Sequence, residues 1–311
     1  MNKNSKIYVA GHTGQVGHSI LHTLYSMGYS NLITISRENL DLRNQSLVDQ
    51  FFTTVKPDYV FLSAATVGGI NANQQYPADF AYDNLMISLN IINSSYKSHV
   101  KKLLYLGSTC IYPPSLIPPL QENNLLLAPP EVTNESYALS KIMGIKLCEY
   151  YNKQYNTNFI SAIPCNTYGP YDHFYSKRAH VIPDFFCKFS SASQNSSPEV
   201  ILQGDGTAIR EYIYSLDLAD ACIFLMNNYT STVPINIGSG YTITIKELAY
   251  KIAALCHYKG RIIFSHSGAN GASYRYLDSH RINTLGWNAK TDLTIGLKNT
   301  YKIFLSKYFS C

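Results

Sequence analysis

The chain has 311 residues, of which 46% are hydrophobic and 14% are charged, and it contains 18 glycines and 13 prolines. This composition excludes a disordered, collagen-like or coiled-coil protein, and the length suits two domains or one large α/β unit with an added lobe. The 25 Lys and Arg residues exceed the 20 Asp and Glu residues by only five and are scattered, so a nucleic-acid partner is not expected.

The sequence shows no signal for membrane insertion, export, disulfide bonds or zinc binding. A run of 18 or more apolar residues is missing, which argues against a membrane span, and the N-terminus lacks the apolar stretch of a signal peptide. The seven cysteines are an odd number without a Cys-x-x-Cys pair, which indicates neither a disulfide framework nor a zinc site. We therefore expect a cytoplasmic protein with no metal and no membrane contact.

Short apolar runs rich in β-branched residues alternate with helix-length segments through the first half of the chain. The runs lie at 6–10, 31–36, 58–65, 102–107 and 158–163. This alternation predicts an α/β fold with a Rossmann-type doubly wound parallel sheet. Ligands bind at the carboxyl ends of the strands in such sheets, so the residues just after each run are the first candidates for a site.

The alternation becomes irregular after about residue 165, with further elements predicted at 199–203, 217–228, 235–237 and 244–257. We interpret residues 1–165 as the Rossmann domain and residues 166–311 mainly as a smaller C-terminal α/β substrate lobe, with segments near 210–238 returning to the first domain. Residues 190–197 are predicted to form a surface loop, and Asp217 is predicted to cap a helix N-terminus.

A glycine-rich turn follows the first apolar run. Gly11, Gly14 and Gly17 stand between this run and a predicted helix at 19–27. Glycine lets the backbone turn tightly and approach a pyrophosphate, whose charge then lies at the N–H groups of the helix N-terminus. A tight turn can need glycine for backbone reasons alone, but its place at the first strand of a βαβ unit favours a dinucleotide cofactor.

The end of the second predicted strand bears on which dinucleotide binds. An acidic residue there contacts the free ribose 2′-hydroxyl of NAD, whereas arginine accommodates the 2′-phosphate of NADP. Ser36 and Arg37 occupy this position and favour NADP(H), although Glu38 follows directly and Arg37 could instead be an ordinary surface residue.

A serine and a Tyr-x-x-x-Lys pair form the candidate catalytic set. Ser108 follows the run at 102–107, and the i, i+4 spacing of Tyr137 and Lys141 places both on one face of a helix predicted to extend to about residue 155. A free tyrosine has a pKa of about 10, and a neighbouring ammonium would lower that pKa toward a value useful for proton transfer. Each feature alone is common, but their order behind a glycine turn points to a reductase.

Further strings carry a closer resemblance. The chain reads AATVGGINAN at 64–73, YPADF at 76–80, GSTCIYP at 107–113, TNESYA at 133–138, GIKLCE at 144–149, NTYGP at 166–170, HVIP at 180–183 and REY at 210–212. With the ordered set above, these strings resemble the GDP-L-fucose synthases, a branch of the extended short-chain dehydrogenase/reductase family. The resemblance covers essentially the whole chain, is dense from 6 to about 215 and weakens toward the C-terminus.

This resemblance implies an enzyme that epimerises a GDP-bound 4-keto-6-deoxysugar at C3 and C5 and then reduces its C4 ketone with NADPH. It assigns Ser108, Tyr137 and Lys141 to the reduction, and Cys110 and His180 to the epimerisation. Protons beside a ketone are acidic because the enolate is resonance-stabilised, so a thiolate and an imidazolium on opposite sides of the sugar could exchange them. A positive neighbour would bring the pKa of Cys110 toward the physiological range.

The resemblance also implies which residues contact each ligand. Contacts with NADP(H) are expected from Gly11, Thr13, Gly14, Gln15, Val16, Gly17, Arg37, Asp41, Leu42, Leu106, Gly107, Lys141, Pro164, Asn166, Thr167 and His180. Contacts with the GDP-linked keto sugar are expected from Lys188, Gln203, Arg210 and Asp278. Without the resemblance, the adjacent Arg210 and Glu211 would be interpreted as a solvated surface pair. Family members commonly form homodimers through helices that include the one starting near Tyr137, so a homodimer is expected.

Two positions depart from the family pattern. Thr13 stands where an arginine often helps to hold the 2′-phosphate, and Gln203 stands where tryptophan is usual. Strict preference for NADP therefore stays open, and so does the identity of the GDP-linked sugar, which could be a hexose, a heptose or a dideoxy sugar. One alternative is a C4 reductase for a GDP-4-keto-6-deoxyheptose already epimerised by another enzyme. A second is a nucleotide-sensing protein without turnover, against which the intact set of Ser108, Tyr137 and Lys141 argues.

Overall fold

The computed structural model describes residues 1–175, 179–265 and 272–309. In the first half of the chain, strands and helices alternate as the apolar runs predict. The elements are β1 (Ile7–Ala10), α1 (Gln15–Ser26), β2 (Leu32–Ile33), α2 (Gln45–Val55), β3 (Tyr59–Leu62), α3 (Ile70–Gln75), α4 (Pro77–Lys97), β4 (Lys102–Leu106), α5 (Glu135–Tyr155) and β5 (Phe159–Pro164). Single turns of 3-10 helix at Thr109–Ile111 and Val132–Asn134 lie between β4 and α5.

The second half of the chain has shorter strands in a less regular order. Its elements are β6 (Asn166–Tyr168), α6 (Val181–Gln194), β7 (Glu199–Gln203), β8 (Ile209–Tyr214), α7 (Ser215–Asn228), β9 (Ile235–Ile237), β10 (Thr242–Thr244), α8 (Ile245–Leu255), β11 (Arg261–Ser265), β12 (Tyr274–Arg275), α9 (His280–Thr284) and α10 (Leu293–Tyr308).

A six-stranded parallel sheet forms the centre of the first lobe, in the order β2-β1-β3-β4-β5-β9. The chain places β2 on one side of β1 and β3 on the other, so the winding direction reverses at β1. α1 packs against α7, whereas α4 packs against α2 and α5, so two separate helical layers cover the sheet. The predicted Rossmann-type doubly wound fold is confirmed, and its ligand crevice lies at the carboxyl end of β1.

Burial explains why these short runs become strands. Ile7, Val9, Val60, Phe61 and Leu104 are all 0% exposed. A parallel strand covered on both faces has apolar side chains pointing to both sides, which is why the sequence shows continuous apolar runs there and no alternation with polar residues.

A second apolar core is formed by elements from the second half of the chain. β8 pairs with β6, β10 and β12 in a four-stranded sheet, and β7 pairs with β11. α6, α8 and α10 contribute fully buried side chains to this core, among them Phe186, Phe189, Leu248 and Phe304. α7 and β9, in contrast, contribute to the core beneath the six-stranded sheet although they come late in the chain.

Three local predictions are wrong. The segment 190–194 is the last part of α6 and not a loop, because Ser190 and Ala192 continue the buried face of that helix. The second strand covers only Leu32–Ile33 of the predicted 31–36.

The third concerns Asp217, which lies in the first turn of α7, while Tyr214 occupies the N-cap position. The Asp217 carboxylate accepts hydrogen bonds from the backbone N–H groups of Lys290 at 2.9 Å and Thr291 at 2.7 Å. It therefore fastens the segment before α10 to α7. No helix in the described part of the chain is both long and apolar enough to cross a bilayer.

Candidate active site

The carboxyl edge of the parallel sheet collects residues from several strands. Gly11 follows β1, Ser108 follows β4, and Pro164 is the last residue of β5. Tyr137, in the first turn of α5, lies near Ser108 at this edge, and the Ser108 hydroxyl lowers the pKa of the phenol. The topology thus brings the glycine turn and the Ser-Tyr-Lys set to one side of the sheet, as the sequence predicts.

The glycine turn is shaped by contacts within the protein at two of its three glycines. Gly11 has a φ of +87°, and a Cβ there would lie 2.6 Å from the Cα of Ala64. A Cβ at Gly17 would lie 2.1 Å from the backbone oxygen of Gly11. A Cβ at Gly14 would meet only that same oxygen, at an ordinary 3.5 Å. Packing within the protein therefore explains Gly11 and Gly17, whereas Gly14 leaves open space of the kind that a pyrophosphate needs.

The start of α1 suits an anion. Gly14 is its N-cap and no side chain caps the helix, so the first N–H groups and the positive end of the helix dipole are available to a ligand. Thr13 is exposed in the same turn, and Gln15 and Val16 are partly buried at the helix start. These residues fit the pyrophosphate of a dinucleotide.

Charged residues cluster where the adenosine end of a dinucleotide is expected. Arg37 is exposed after β2. Asp41 and Leu42 follow, and Arg43 forms ion pairs with Asp41 at 2.6 Å and with Asp83 at 2.9 Å. Hydrogen bonding to Arg43 lowers the pKa of Asp41 to about 2. Asp41 is therefore a fixed negative charge, and Arg37 is the cation available at this end for a phosphate.

Ser108 links the candidate catalytic groups. Its hydroxyl oxygen accepts a hydrogen bond from the backbone N–H of Cys110 at 3.5 Å. The same hydroxyl lies close enough to the Tyr137 phenol and the Cys110 thiol to lower the pKa of both. One hydroxyl is therefore shared between the phenol assigned to reduction and the thiol assigned to epimerisation.

Lys141 is buried one helical turn after Tyr137. Its ammonium donates a hydrogen bond to the carbonyl oxygen of Leu106 at 2.9 Å, and it lies 5.8 Å from the ring centroid of Tyr137 and 5.0 Å from that of Tyr105. Burial lowers the pKa of Lys141 to about 8. The hydrogen bond to the end of β4 fixes the ammonium beside the phenol ring.

The direction of the Tyr137 pKa differs from the sequence expectation. Burial raises this pKa well above its ordinary value, the nearby Cys110 and Tyr105 raise it further, and only the hydrogen bond with Ser108 lowers it. Desolvation outweighs the influence of a neighbouring ammonium, because the phenolate is a charged form held away from water. The phenol of Tyr137 is therefore more firmly protonated than a free tyrosine.

Cys110 behaves in the same way. Its side chain is buried, and burial raises the pKa of the thiol, while the hydrogen bond with Ser108 and the charges of Arg275 and Lys141 lower it. The expectation that the pKa of this thiol is shifted toward the physiological range is wrong, because desolvation outweighs the two positive charges. Arg275, which the sequence did not single out, supplies a positive charge near this thiol.

His180 occupies the N-cap position of α6, and its side chain is exposed. Its charge lowers the pKa of Asp172, a buried carboxyl whose pKa is raised overall by desolvation. Asp172 also accepts a hydrogen bond from the Gln15 amide at 3.0 Å. The segment leading toward His180 is thereby tied to the first residue of α1.

The remaining residues predicted to contact the cofactor line the ends of β4 and β5. Leu106 and Gly107 are buried, and a Cβ at Gly107 would meet Ile145 at 3.2 Å. Pro164, Asn166 and Thr167 are partly buried. The side-chain amide of Asn166 donates a hydrogen bond to the carbonyl oxygen of Glu211 at 3.0 Å, which connects this edge to β8.

The residues predicted to contact the sugar nucleotide are spread over the second lobe. Lys188 on α6 forms an exposed ion pair with Asp184 at 2.7 Å, and Gln203 is exposed at the end of β7. Asp278 accepts a hydrogen bond from the side-chain amide of Gln121 at 3.3 Å. Among the described residues, Lys188, Gln203 and Asp278 form no hydrogen bond or ion pair with one another.

Arg210 and Glu211 do not form the solvated pair that their adjacency suggests. Glu211 is 1% exposed and accepts hydrogen bonds from the backbone N–H groups of Leu277 at 2.8 Å and Gly240 at 2.9 Å. Arg210 is partly buried on β8, in register with Arg275 on β12. Sequence reasoning missed Arg275 because its place beside Arg210 depends on strand pairing across 65 positions of the chain.

Groups of His, Cys, Asp and Glu that could hold a metal ion are not found among residues 1–175, 179–265 and 272–309. The six cysteines in the same ranges are free. The chemistry available at the site is thus that of a phenol, an ammonium, a hydroxyl and a thiol beside a dinucleotide cradle.

Comparisons with known proteins agree with this geometry. The NAD dependent epimerase/dehydratase family matches residues 7–238. The GDP-L-fucose synthase of Sinorhizobium fredii (strain NBRC 101917 / NGR234) is 44% identical over 301 residues, which cover 97% of this chain and 96% of the relative.

Two solved structures from Campylobacter jejuni share the fold throughout. One is a GDP-6-OMe-4-keto-L-xylo-heptose reductase with a TM-score of 0.94 and 34% identity, covering 99% of both chains. The other is a GDP-mannoheptose C4 reductase with NADP bound, with a TM-score of 0.89 and 37% identity, covering 98% of this chain and 99% of the neighbour. The chain belongs to the NAD dependent epimerase/dehydratase family and, within it, to the group that contains the GDP-L-fucose synthases.

Proposed function

We propose that the protein is an NADPH-dependent epimerase/reductase of a GDP-linked 4-keto-6-deoxysugar, as in GDP-L-fucose synthesis. The observation that carries this proposal is the meeting of Ser108, Tyr137, Lys141 and Cys110 at the sheet edge that follows the glycine turn. The GDP-L-fucose synthase relative at 44% identity supports the same activity and substrate class.

NADP(H) is the proposed cofactor, and it supplies a hydride to the sugar C4 when bound. Gly14 and the N-terminus of α1 would hold its pyrophosphate, and Arg37 its 2′-phosphate. The neighbouring structure with NADP bound supports this choice. With Thr13 in place of the usual arginine, Arg37 would be the main group that discriminates NADPH from NADH.

Tyr137 is the proposed acid of the reduction. The phenol is protonated at neutral pH, and although its raised pKa makes it a weaker acid than free tyrosine, it can give its proton to the C4 oxygen because the developing alkoxide is a stronger base. Ser108 would hold the same oxygen by a hydrogen bond. The ammonium of Lys141, fixed by the Leu106 carbonyl, would stabilise the phenolate that remains.

Cys110 and His180 are the proposed pair for epimerisation at C3 and C5. A base must remove the proton beside the ketone and an acid must return one from the opposite face. The charges of Arg275 and Lys141 favour the Cys110 thiolate that this step requires. Ser108 and Tyr137 would stabilise the enolate oxygen, so one oxyanion site would serve both reactions.

The test of the reduction is NADPH oxidation with a GDP-4-keto-6-deoxysugar. Tyr137→Phe is expected to slow turnover by about 100-fold or more, the usual scale for a positioned acid. Tyr250→Phe is the matched control, since Tyr250 lies exposed on α8, and its rate should equal that of the wild type. Equal rates for wild type and Tyr137→Phe would refute the mechanism, and absence of turnover in the wild type would favour a nucleotide-binding protein.

A second candidate function is C4 reduction alone, acting on a GDP-4-keto-6-deoxyheptose that another enzyme has epimerised. Two observations favour it: the heptose reductases of the same fold, and the raised pKa of the buried Cys110 thiol. Incubation with substrate in heavy water without NADPH separates the two functions. Deuterium at C3 and C5 supports the bifunctional enzyme, whereas no exchange leaves only the reductase.

We also propose that the protein forms a homodimer through α4 and α5. These helices pack against each other, and each carries exposed apolar side chains on its outer face, namely Tyr82, Leu89, Leu139, Met143 and Tyr150. Large exposed apolar patches commonly mark association surfaces. Met143→Glu should give a monomer in sedimentation analysis, and Tyr250→Glu on α8 should not; a monomeric wild type would refute the proposal.

A cytoplasmic location is proposed on the state of the cysteines. The proposed role of Cys110 requires a reduced thiol, and the described cysteines are free, as in a reducing compartment. Cell fractionation with antibody detection tests this location, and recovery outside the cytoplasm would contradict it.

A further inference from the structure

A half-hidden ion pair lies where the two lobes meet. Glu131 precedes the 3-10 turn that leads into α5, and Arg275 belongs to β12 of the substrate lobe. Their side chains are 2.6 Å apart and only 13% and 10% exposed, respectively. The hydroxyl of Thr133 donates a second hydrogen bond to Glu131 at 2.7 Å. The carboxylate is thus held firmly against the guanidinium.

A second guanidinium lies beside that of Arg275. Arg210 on β8 is the register partner of Arg275 on β12. Burial and the charge of Arg275 lower the pKa of Arg210, while the more distant charge of Glu131 raises it. Its own Nη1 donates a hydrogen bond to the carbonyl oxygen of Ile209 at 2.9 Å. In the part of the chain that the structure describes, no carboxylate forms an ion pair with Arg210, so two cations face one anion.

We propose that Glu131 competes with the diphosphate of the sugar nucleotide for this pair of arginines and thereby limits nucleotide affinity. The inference rests on the proposed function, in which Arg210 contacts the GDP group. A diphosphate binds best between two guanidiniums, because each can donate paired hydrogen bonds to phosphate oxygens. With Glu131 in place, Arg275 has a partner already, and the negative carboxylate repels the incoming phosphates.

Competition by Glu131 would favour release of the GDP-linked product. The product of the reaction carries the same GDP group as the substrate, so tight binding through the diphosphate would slow product release. A carboxylate that regains Arg275 when the nucleotide leaves would favour release. Because Glu131 stands just before α5, the same contact keeps the arginine pair in position relative to Tyr137.

The test is the affinity for GDP, measured by isothermal titration calorimetry with the full-length protein. Glu131→Gln keeps a hydrogen-bonding side chain but removes the charge, and it is expected to tighten GDP binding about tenfold, the order expected for one charge at about 10 Å in an effective dielectric constant of about 20. Glu135→Gln is the matched control, since Glu135 is exposed in the first turn of α5. Its affinity for GDP should equal that of the wild type.

The steady-state rates give an independent readout. Faster release predicts that Glu131→Gln lowers KM for the GDP-sugar and also lowers kcat, whereas a merely structural loss would raise KM. Unchanged or weaker GDP binding by folded Glu131→Gln would overturn the inference. If that variant fails to fold, Glu131→Asp, which keeps the charge but withdraws it from Arg275, should tighten GDP binding by about twofold or more, and no tightening would overturn the inference equally.

If the proposed nucleotide site itself is wrong, the binding measurements give a different result. A wild-type protein that does not bind GDP, or an Arg210→Met variant that binds it as well as the wild type, would refute the proposed nucleotide site and the role of Glu131 with it. Normal GDP binding that depends on Arg210 but not on Glu131 would refute the role of Glu131 alone.

Discussion

Gly17→Ala should lower the stability of the protein, whereas Gly14→Ala should weaken its binding of NADPH. At Gly17 the new Cβ would lie 2.1 Å from the Gly11 carbonyl oxygen and 2.7 Å from the Ser63 hydroxyl oxygen. Ordinary contact begins at 3.4 Å, so α1 would have to move by more than 1 Å. Alanine gains about 1 kcal/mol in helix propensity, but overpacking against backbone costs about 3 kcal/mol or more. A net loss of about 2 kcal/mol should lower Tm by about 4 °C or more.

At Gly14 the new Cβ would meet the protein only at an ordinary distance of 3.5 Å. Alanine in place of glycine at an N-cap costs at most about 1 kcal/mol, so Tm should fall by about 2 °C or less. The methyl group would instead occupy the space proposed for the pyrophosphate, and the Kd for NADPH should rise about tenfold or more.

Differential scanning fluorimetry without cofactor and NADPH titration by fluorescence separate the two outcomes. A Gly17→Ala protein with the Tm of the wild type would show that the close contacts are not decisive. A Gly14→Ala protein that binds NADPH normally would show that the cofactor does not approach this glycine.

Three further outcomes are expected. Cys110→Ser should reduce deuterium uptake at C3 and C5 by about 100-fold while NADPH oxidation with a pre-epimerised substrate persists; undiminished exchange by NMR would contradict the role of the thiol. Arg210→Met should raise the Kd for GDP by about tenfold and leave the Kd for NADPH unchanged in calorimetry; equal loss of both would indicate general damage. The third concerns Lys141, whose pKa is lowered from 10.5 to about 8 by burial. Between these two pH values the unfolded state binds more protons than the folded state, so the free energy of unfolding of the wild type should rise with pH relative to that of Lys141→Met. Urea titrations measure this difference in unfolding free energy, and a difference that falls with pH would contradict the lowered pKa.

Local pattern was enough to predict much of the fold. The runs at 58–65 and 102–107 contain β3 and β4, and the predicted elements at 199–203 and 235–237 coincide with β7 and β9. These segments are apolar because their strands are buried, so an apolar run in the sequence is enough to predict the strand. The prediction of a loop was wrong at 190–194 because it considered the serines and alanine alone. The phenylalanines that precede them belong to the same helix, which continues through this segment.

Properties that depend on distant residues could not be predicted. The ion pair of Glu131 and Arg275 joins positions 144 apart, and a single sequence without strand register does not bring them together. The Tyr137 pKa was expected to fall because Lys141 is visible four positions away, whereas the burial that raises it arises from the packed structure. That Ser108, Tyr137 and Lys141 lie near one another could be predicted, because a short motif and a helical spacing define their positions.

The way the chain passes between the two cores limits how the protein can be divided. β9, which pairs with β5, and α7, which packs against α1, both follow segments that belong to the second core. A fragment ending near residue 165 would leave the outer edge of β5 unpaired and the apolar surface under α7 open to water. Such a fragment should aggregate when expressed alone. Any opening of the cleft between the lobes must bend several connections at once, so movement on ligand binding should be confined to small local shifts.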